Sequence, residues 1–130
     1  MDITIPPIVQ ETSPIQDPPV SPLPQAVADV ARWYIFRERQ EVVNFLTEHE
    51  KAANALLAAY PRLQGYFPHA PIYLEVKADY DAPEERFYLL ASIETNLSPD
   101  EALKRLAGFD DVWWLDRPDD LHDLLLFSLE

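Results

Sequence analysis

Proline placement limits what this chain can become more than any other feature of its sequence. It carries 13 prolines and only two glycines in 130 residues, where ordinary usage would give about six and nine. Seven of those prolines lie between Pro6 and Pro24. A fixed φ and a missing N–H bar such a stretch from helices and from the middle of a sheet. Residues 1–24 therefore read as an extended Pro-rich arm of polyproline-II character, and residues 25–130 as a single α+β domain. The arm also holds Ile3, Ile5, Ile8, Val9, Ile15, Val20 and Leu23 against only three charges, Asp2, Glu11 and Asp17. That is much apolar surface to leave in water, at about 25 cal/mol per Å². It points to an arm packed on its own domain or on a neighbouring chain.

From Gln25 to Phe67 the pattern is helical. Val27, Ala31, Tyr34 and Ile35 recur at helical spacing, as do Val42, Phe45, Leu46 and His49, among good helix formers. Two helices are expected, roughly 26–47 and 50–59, with Pro61 at a helix start breaking the chain near Tyr60. The period then changes. Ile72 to Asp79 alternates apolar and polar residues, and Phe87 to Glu94 is apolar on both faces. Two antiparallel strands follow, joined by a loop over Tyr80–Glu85 and with the second strand central.

Ser98-Pro99-Asp100-Glu101 has the cap serine, the N1 proline and the N3 glutamate of a capping box. Gly108 suits the left-handed residue that ends such a helix, and Asp110 could cap a further short turn. The apolar run from Asp123 to Leu129 makes a third strand, placed beside the first. The expected order is α-α-β-β-α-β: an antiparallel three-stranded sheet with helices packed on one face.

Phe109-Asp110-Asp111-Val112-Trp113-Trp114-Leu115-Asp116, with Asn96 to Leu103 and Asn44-Phe45-Leu46, resembles a pattern found in a group of small uncharacterised bacterial α+β proteins. Those share the Ser-Pro-Asp-Glu-Ala-Leu capped helix, the Trp-Trp segment and the final strand. The resemblance covers about residues 40–129. It implies an antitoxin-like role beside a small toxin-like partner, and it brings no catalytic residue with it.

The remaining composition narrows the function. Ten Lys and Arg against 23 Asp and Glu give a net charge of −13, which repels phosphate backbones and argues against direct nucleic-acid binding. There is no cysteine, hence no disulfide and no thiolate chemistry. No apolar run reaches the ~18 residues of a membrane span, and the N-terminus lacks the basic start and apolar stretch of a signal peptide. A cytoplasmic protein that makes no contact with membranes is expected.

His49, His69 and His122 share no motif with a serine, no His-Glu-x-x-His occurs, and two glycines cannot build a phosphate loop. No cofactor is implied. The only candidate metal ligands are Asp110, Asp111, Asp116, Asp119, Asp120 and Asp123, crowded with His122 into 14 positions. Such carboxylates suit Mg²⁺ or Ca²⁺ and would serve a metal-dependent hydrolase or phosphotransfer enzyme. Their spacing fits no EF-hand.

Residues 67–130 alone hold 15 acids and five bases, a charge distribution that steers a basic partner. The preferred expectation is a non-catalytic interaction module that binds a basic protein. Trp33, Tyr34 and Phe36, like Trp113 and Trp114, are too close in sequence to share one helix face. They are the interface candidates, and residues 1–36 are expected to supply much of a homodimer interface.

Overall fold

The computed structural model describes residues 23–80 and 86–130. The arm over residues 1–22 and the loop over 81–85 lie outside the described residues. Five helices and four strands follow the order α1 (Gln25–Trp33), β1 (Ile35–Phe36), α2 (Arg39–Glu48), α3 (Glu50–Tyr66), β2 (Ile72–Ala78), β3 (Phe87–Ile93), α4 (Pro99–Val112), α5 (Asp119–His122) and β4 (Leu125–Leu129). A 3-10 turn, Trp114–Asp116, joins α4 to α5.

The long first helix expected over 26–47 is interrupted. Tyr34 is extended at the end of α1, and its hydroxyl donates to the Leu56 carbonyl at 2.6 Å. That anchor in the core holds the chain out of the helix. The bulky pair Ile35-Phe36 then adds to the sheet, as β-branched and aromatic residues favour. Glu38, in the left-handed region at φ 51°, turns the chain off the sheet into α2. The break expected at Pro61 does not occur either, since α3 runs through it to Tyr66. Ala52, Ala55, Leu56, Ala59 and Leu63 are buried on both sides of the proline. Burying that face outweighs the one backbone hydrogen bond that Pro61 forfeits.

The sheet order is β1-β2-β3-β4, with β2 and β3 antiparallel and both outer pairs parallel. The expected three-stranded antiparallel sheet is thus corrected to a mixed four-stranded one. The last strand lies beside β3 rather than β2, because β1 already occupies the other edge of β2, and the crossover through α4 leaves it parallel to β3. β1, α2, α3 and β2 form a second parallel crossover of the same kind.

One sheet face carries the core. Leu74, Leu89, Ala91, Ile93, Leu125 and Phe127 are buried there beneath the helices, whose inner faces supply Val30, Leu46, Leu56, Leu63 and Phe109. Phe109 sits among Tyr66, Trp113 and Phe127, with ring centroids 6.4, 5.7 and 5.0 Å away. It ties α3, α4 and β4 together.

Three expectations around α4 need correction. The Ser98 side chain accepts from the Glu101 N–H at 3.3 Å, but the reciprocal half of the box is absent. The Glu101 carboxylate instead accepts a hydrogen bond from Arg105 Nε–H at 2.8 Å, a bond that holds it below its ordinary pKa. Gly108 does not end the helix in a left-handed turn, for neither glycine has positive φ. A Cβ at Gly108 would lie 3.1 Å from Tyr66 Cε1, so the glycine serves close packing of α4 on that ring. Asp110 lies inside α4 and caps no further turn. Ser98→Ala, which removes the one side-chain cap on α4, should cost about 1 kcal/mol, read as a lower urea midpoint with an unchanged slope.

Candidate functional site

A cleft of about 950 Å³ opens where the β2–β3 hairpin runs past the helical layer. Its geometry follows from the early end of β1. Once Glu38 turns the chain away, the far half of β2 has no strand on its outer side, and α2 stands over it with Glu41, Asn44, Phe45 and Glu48 turned to the gap. These four are a helical stripe. The floor is apolar, made by Phe45, Val76, Ala78, Phe87 and Leu124. Phe87 is 46% exposed although it lies on the core side of the sheet.

The rim is acidic. Four carboxylates line the cleft, Glu41, Glu48, Glu75 and Asp123, against two cations, Lys77 and Arg86. Lys77 is engaged by Glu75 at 3.4 Å. Glu41, Glu48 and Asp123 form no ion pair among the described residues. His49 closes one end of the cleft, with its ring against Phe45 at 4.5 Å.

The aspartates singled out in the sequence are spread apart. Asp110 and Asp111 are in the last turn of α4, and Asp116 is exposed in the 3-10 turn. Asp119 and Asp120 open α5. Asp120 pairs with Lys51 of α3, and this hydrogen bond holds its carboxyl below the usual range. Asp123 faces the cleft. His122 is committed elsewhere, with Nε2 2.7 Å from the Trp114 carbonyl. Among the described residues no three His, Asp or Glu side chains converge where an ion could sit.

Asp110 has a measurable consequence. Burial, and then the neighbouring Asp111 carboxylate, push its pKa above the ordinary value. The folded state holds this proton to higher pH than the unfolded chain does. Stability is therefore lost as pH rises from the ordinary carboxylate pKa through the raised one. Asp110→Asn should raise the melting temperature at neutral pH, and the gain should vanish at a pH where both states are protonated.

The interface candidates divide. Trp113 and Trp114 are each only 6% exposed and pack among Phe109, Phe127 and His122. Arg62 and Arg117 lie over the Trp113 ring at 5.2 and 4.9 Å. Tyr34 is buried, and Phe36 packs half-buried against the core. Trp33 remains 44% exposed while stacking on Tyr60 at 4.9 Å, and Ile35 is 47% exposed.

Among the described residues, the opposite sheet face carries no helix. Arg37 reaches across it, its guanidinium 4.2 Å above the Tyr73 ring and hydrogen-bonded to Glu130 at 2.7 Å. Because Arg37 follows β1 and Glu130 follows β4, the pair straps the sheet from edge to edge. Ser92 between them is buried. Tyr73 donates to Glu94 at 2.8 Å, and this bond raises its pKa. Leu126 is left exposed beyond the strap.

Sequence reasoning missed the cleft. Glu41, Asn44, Phe45 and Glu48 have helical spacing and were legible as one face. Nothing local, however, showed that β1 would end after two residues and leave that face uncovered.

The chain is thus an α+β protein with one core, a mixed sheet covered on one face and an acidic cleft at the hairpin end. No helix among the described residues is long and apolar enough to cross a membrane. Compared with protein families, with curated proteins and with solved structures, it matches none.

Proposed function

We propose that the protein is a non-catalytic interaction module whose cleft takes a segment of a basic protein partner, in the manner of an antitoxin covering its toxin. One observation carries this reading. Glu41, Glu48 and Asp123 form no ion pair among the described residues and stand around an apolar floor, an arrangement that favours a ligand both cationic and apolar. Exposed carboxylates that form no ion pair among the described residues raise the local concentration of positive ligands. The net charge of −13 extends that attraction beyond the cleft. The test is affinity capture from the native cell extract at low salt, with the wild-type chain and the triple variant Glu41→Gln/Glu48→Gln/Asp123→Asn as baits. A basic protein held by the first and not by the second supports the proposal. Equal capture by both, or capture of no basic protein, refutes it.

A second association is favoured by Leu23, Trp33 and Ile35, three exposed apolar side chains clustered around α1 and β1. A twofold-related copy covering them would form a homodimer that leaves the cleft free. Residues 1–22, assigned to the same interface from sequence, lie outside the described residues. Sedimentation of the full chain at micromolar concentration is expected to give a dimer, and a monomer would exclude it.

A further inference from the structure

The cleft holds an unused hydrogen-bonding edge as well as an apolar floor. In the β2–β3 ladder, the Glu94 N–H bonds to the Pro71 carbonyl at 2.9 Å and the Asp79 N–H to the Arg86 carbonyl at 2.8 Å. These bonds fix the parity of the strand. Odd-numbered residues of β2 direct their backbone groups to β3, and even-numbered residues direct theirs to the other side. Leu74 obeys the rule, since its carbonyl accepts from the Arg37 N–H at 2.9 Å. Val76 and Ala78 are the next even-numbered residues. Their N–H and C=O groups point to where β1 would continue, but Glu38 at φ 51° has already taken the chain away. Among the described residues these four groups have no backbone partner. Val76 and Ala78 are only half-buried and line the cleft.

Resting on the proposed partner binding, we infer that the partner's segment binds as an added β-strand, in line with β1 and hydrogen-bonded to Val76 and Ala78. The geometry defines the occupant. It is extended, because only an extended backbone meets alternate residues of a strand edge. It is free of proline over its central residues, because proline cannot donate to the edge. Alternate apolar side chains turn to Phe45 and Val76 under α2. Basic residues at its ends meet Glu41, Glu48 and Asp123, which supplies the charge complementarity. The four groups are a small edge. Affinity must therefore come jointly from the hydrogen bonds, the floor and the rim.

The test uses the full-length chain and an array of acetylated, amidated pentapeptides of the form Lys-X-X-X-Lys, with X drawn from Val, Ile, Leu, Tyr and Thr. The best binder is then made in two N-methylated versions, one at odd and one at even positions. An added strand turns one set of peptide amides to β2 and the other to solvent. One version should lose at least about tenfold in affinity while the other binds like the parent. Hydrogen exchange at the Val76 and Ala78 amides should slow in the complex. Equal binding by both versions would overturn strand addition and leave the cleft proposal standing. Absence of any binder, or a best binder indifferent to Glu41→Gln/Glu48→Gln/Asp123→Asn, would overturn the cleft proposal and strand addition with it.

Discussion

Phe109→Ala should remove about 3–5 kcal/mol of stability, a large part of the ~5–15 kcal/mol of an ordinary domain. The side chain has no exposed surface. Its neighbours Tyr66, Trp113 and Phe127 come from α3, the end of α4 and β4, so no single element can shift to refill the space. The ring lost is both a buried hydrophobic surface and the common edge-to-face partner of Tyr66 and Phe127. Urea denaturation followed by tryptophan fluorescence reads the effect directly, since Trp113 and Trp114 lie in the same cluster. Leu103→Ala on the same helix is the control. Leu103 is largely exposed, and its loss should change stability by no more than about 0.5 kcal/mol.

The second large effect is on binding. Glu41→Gln/Glu48→Gln/Asp123→Asn should weaken the basic partner by about tenfold or more at low salt. Exposed charge pairs contribute roughly 0.2–1 kcal/mol each, so three together reach that range. Most of the change should fall on the association rate and shrink as salt is added. The fold should be unaffected, because all three side chains are exposed and make no ion pair among the described residues. A triple variant that melts like the wild type but binds weakly, surface plasmon resonance being the readout, separates function from folding.

The legible parts of the fold were those decided by neighbours in sequence. Alternation in Ile72 to Asp79 gave β2, and Ser98-Pro99 gave the start of α4, because pleat and cap are local physics. The illegible parts were decided at a distance. Tyr34 has good helical spacing and leaves the helix because its hydroxyl finds the Leu56 carbonyl 22 residues away. Pro61 should break a helix, yet packing of Leu56, Ala59 and Leu63 carries α3 through it. Gly108 read as a terminator and instead makes room for Tyr66. β1 is two residues long, too short to show a period at all. The acidic character of the site was visible in composition. Its location was not, since the crowded aspartates drew attention to the α4–α5 region, whereas the cleft combines only Asp123 from there with Glu41 and Glu48 of α2.

The most direct measurement is amide chemical-shift mapping of the isotope-labelled full chain, titrated with the basic protein that the wild-type bait retains. The perturbed amides should cluster at residues 41–49, 75–78, 87–88 and 123–124, on the walls and floor of the cleft. Perturbations centred instead on Ile35, Leu90 and Leu126, across the helix-free face of the sheet, would contradict the account.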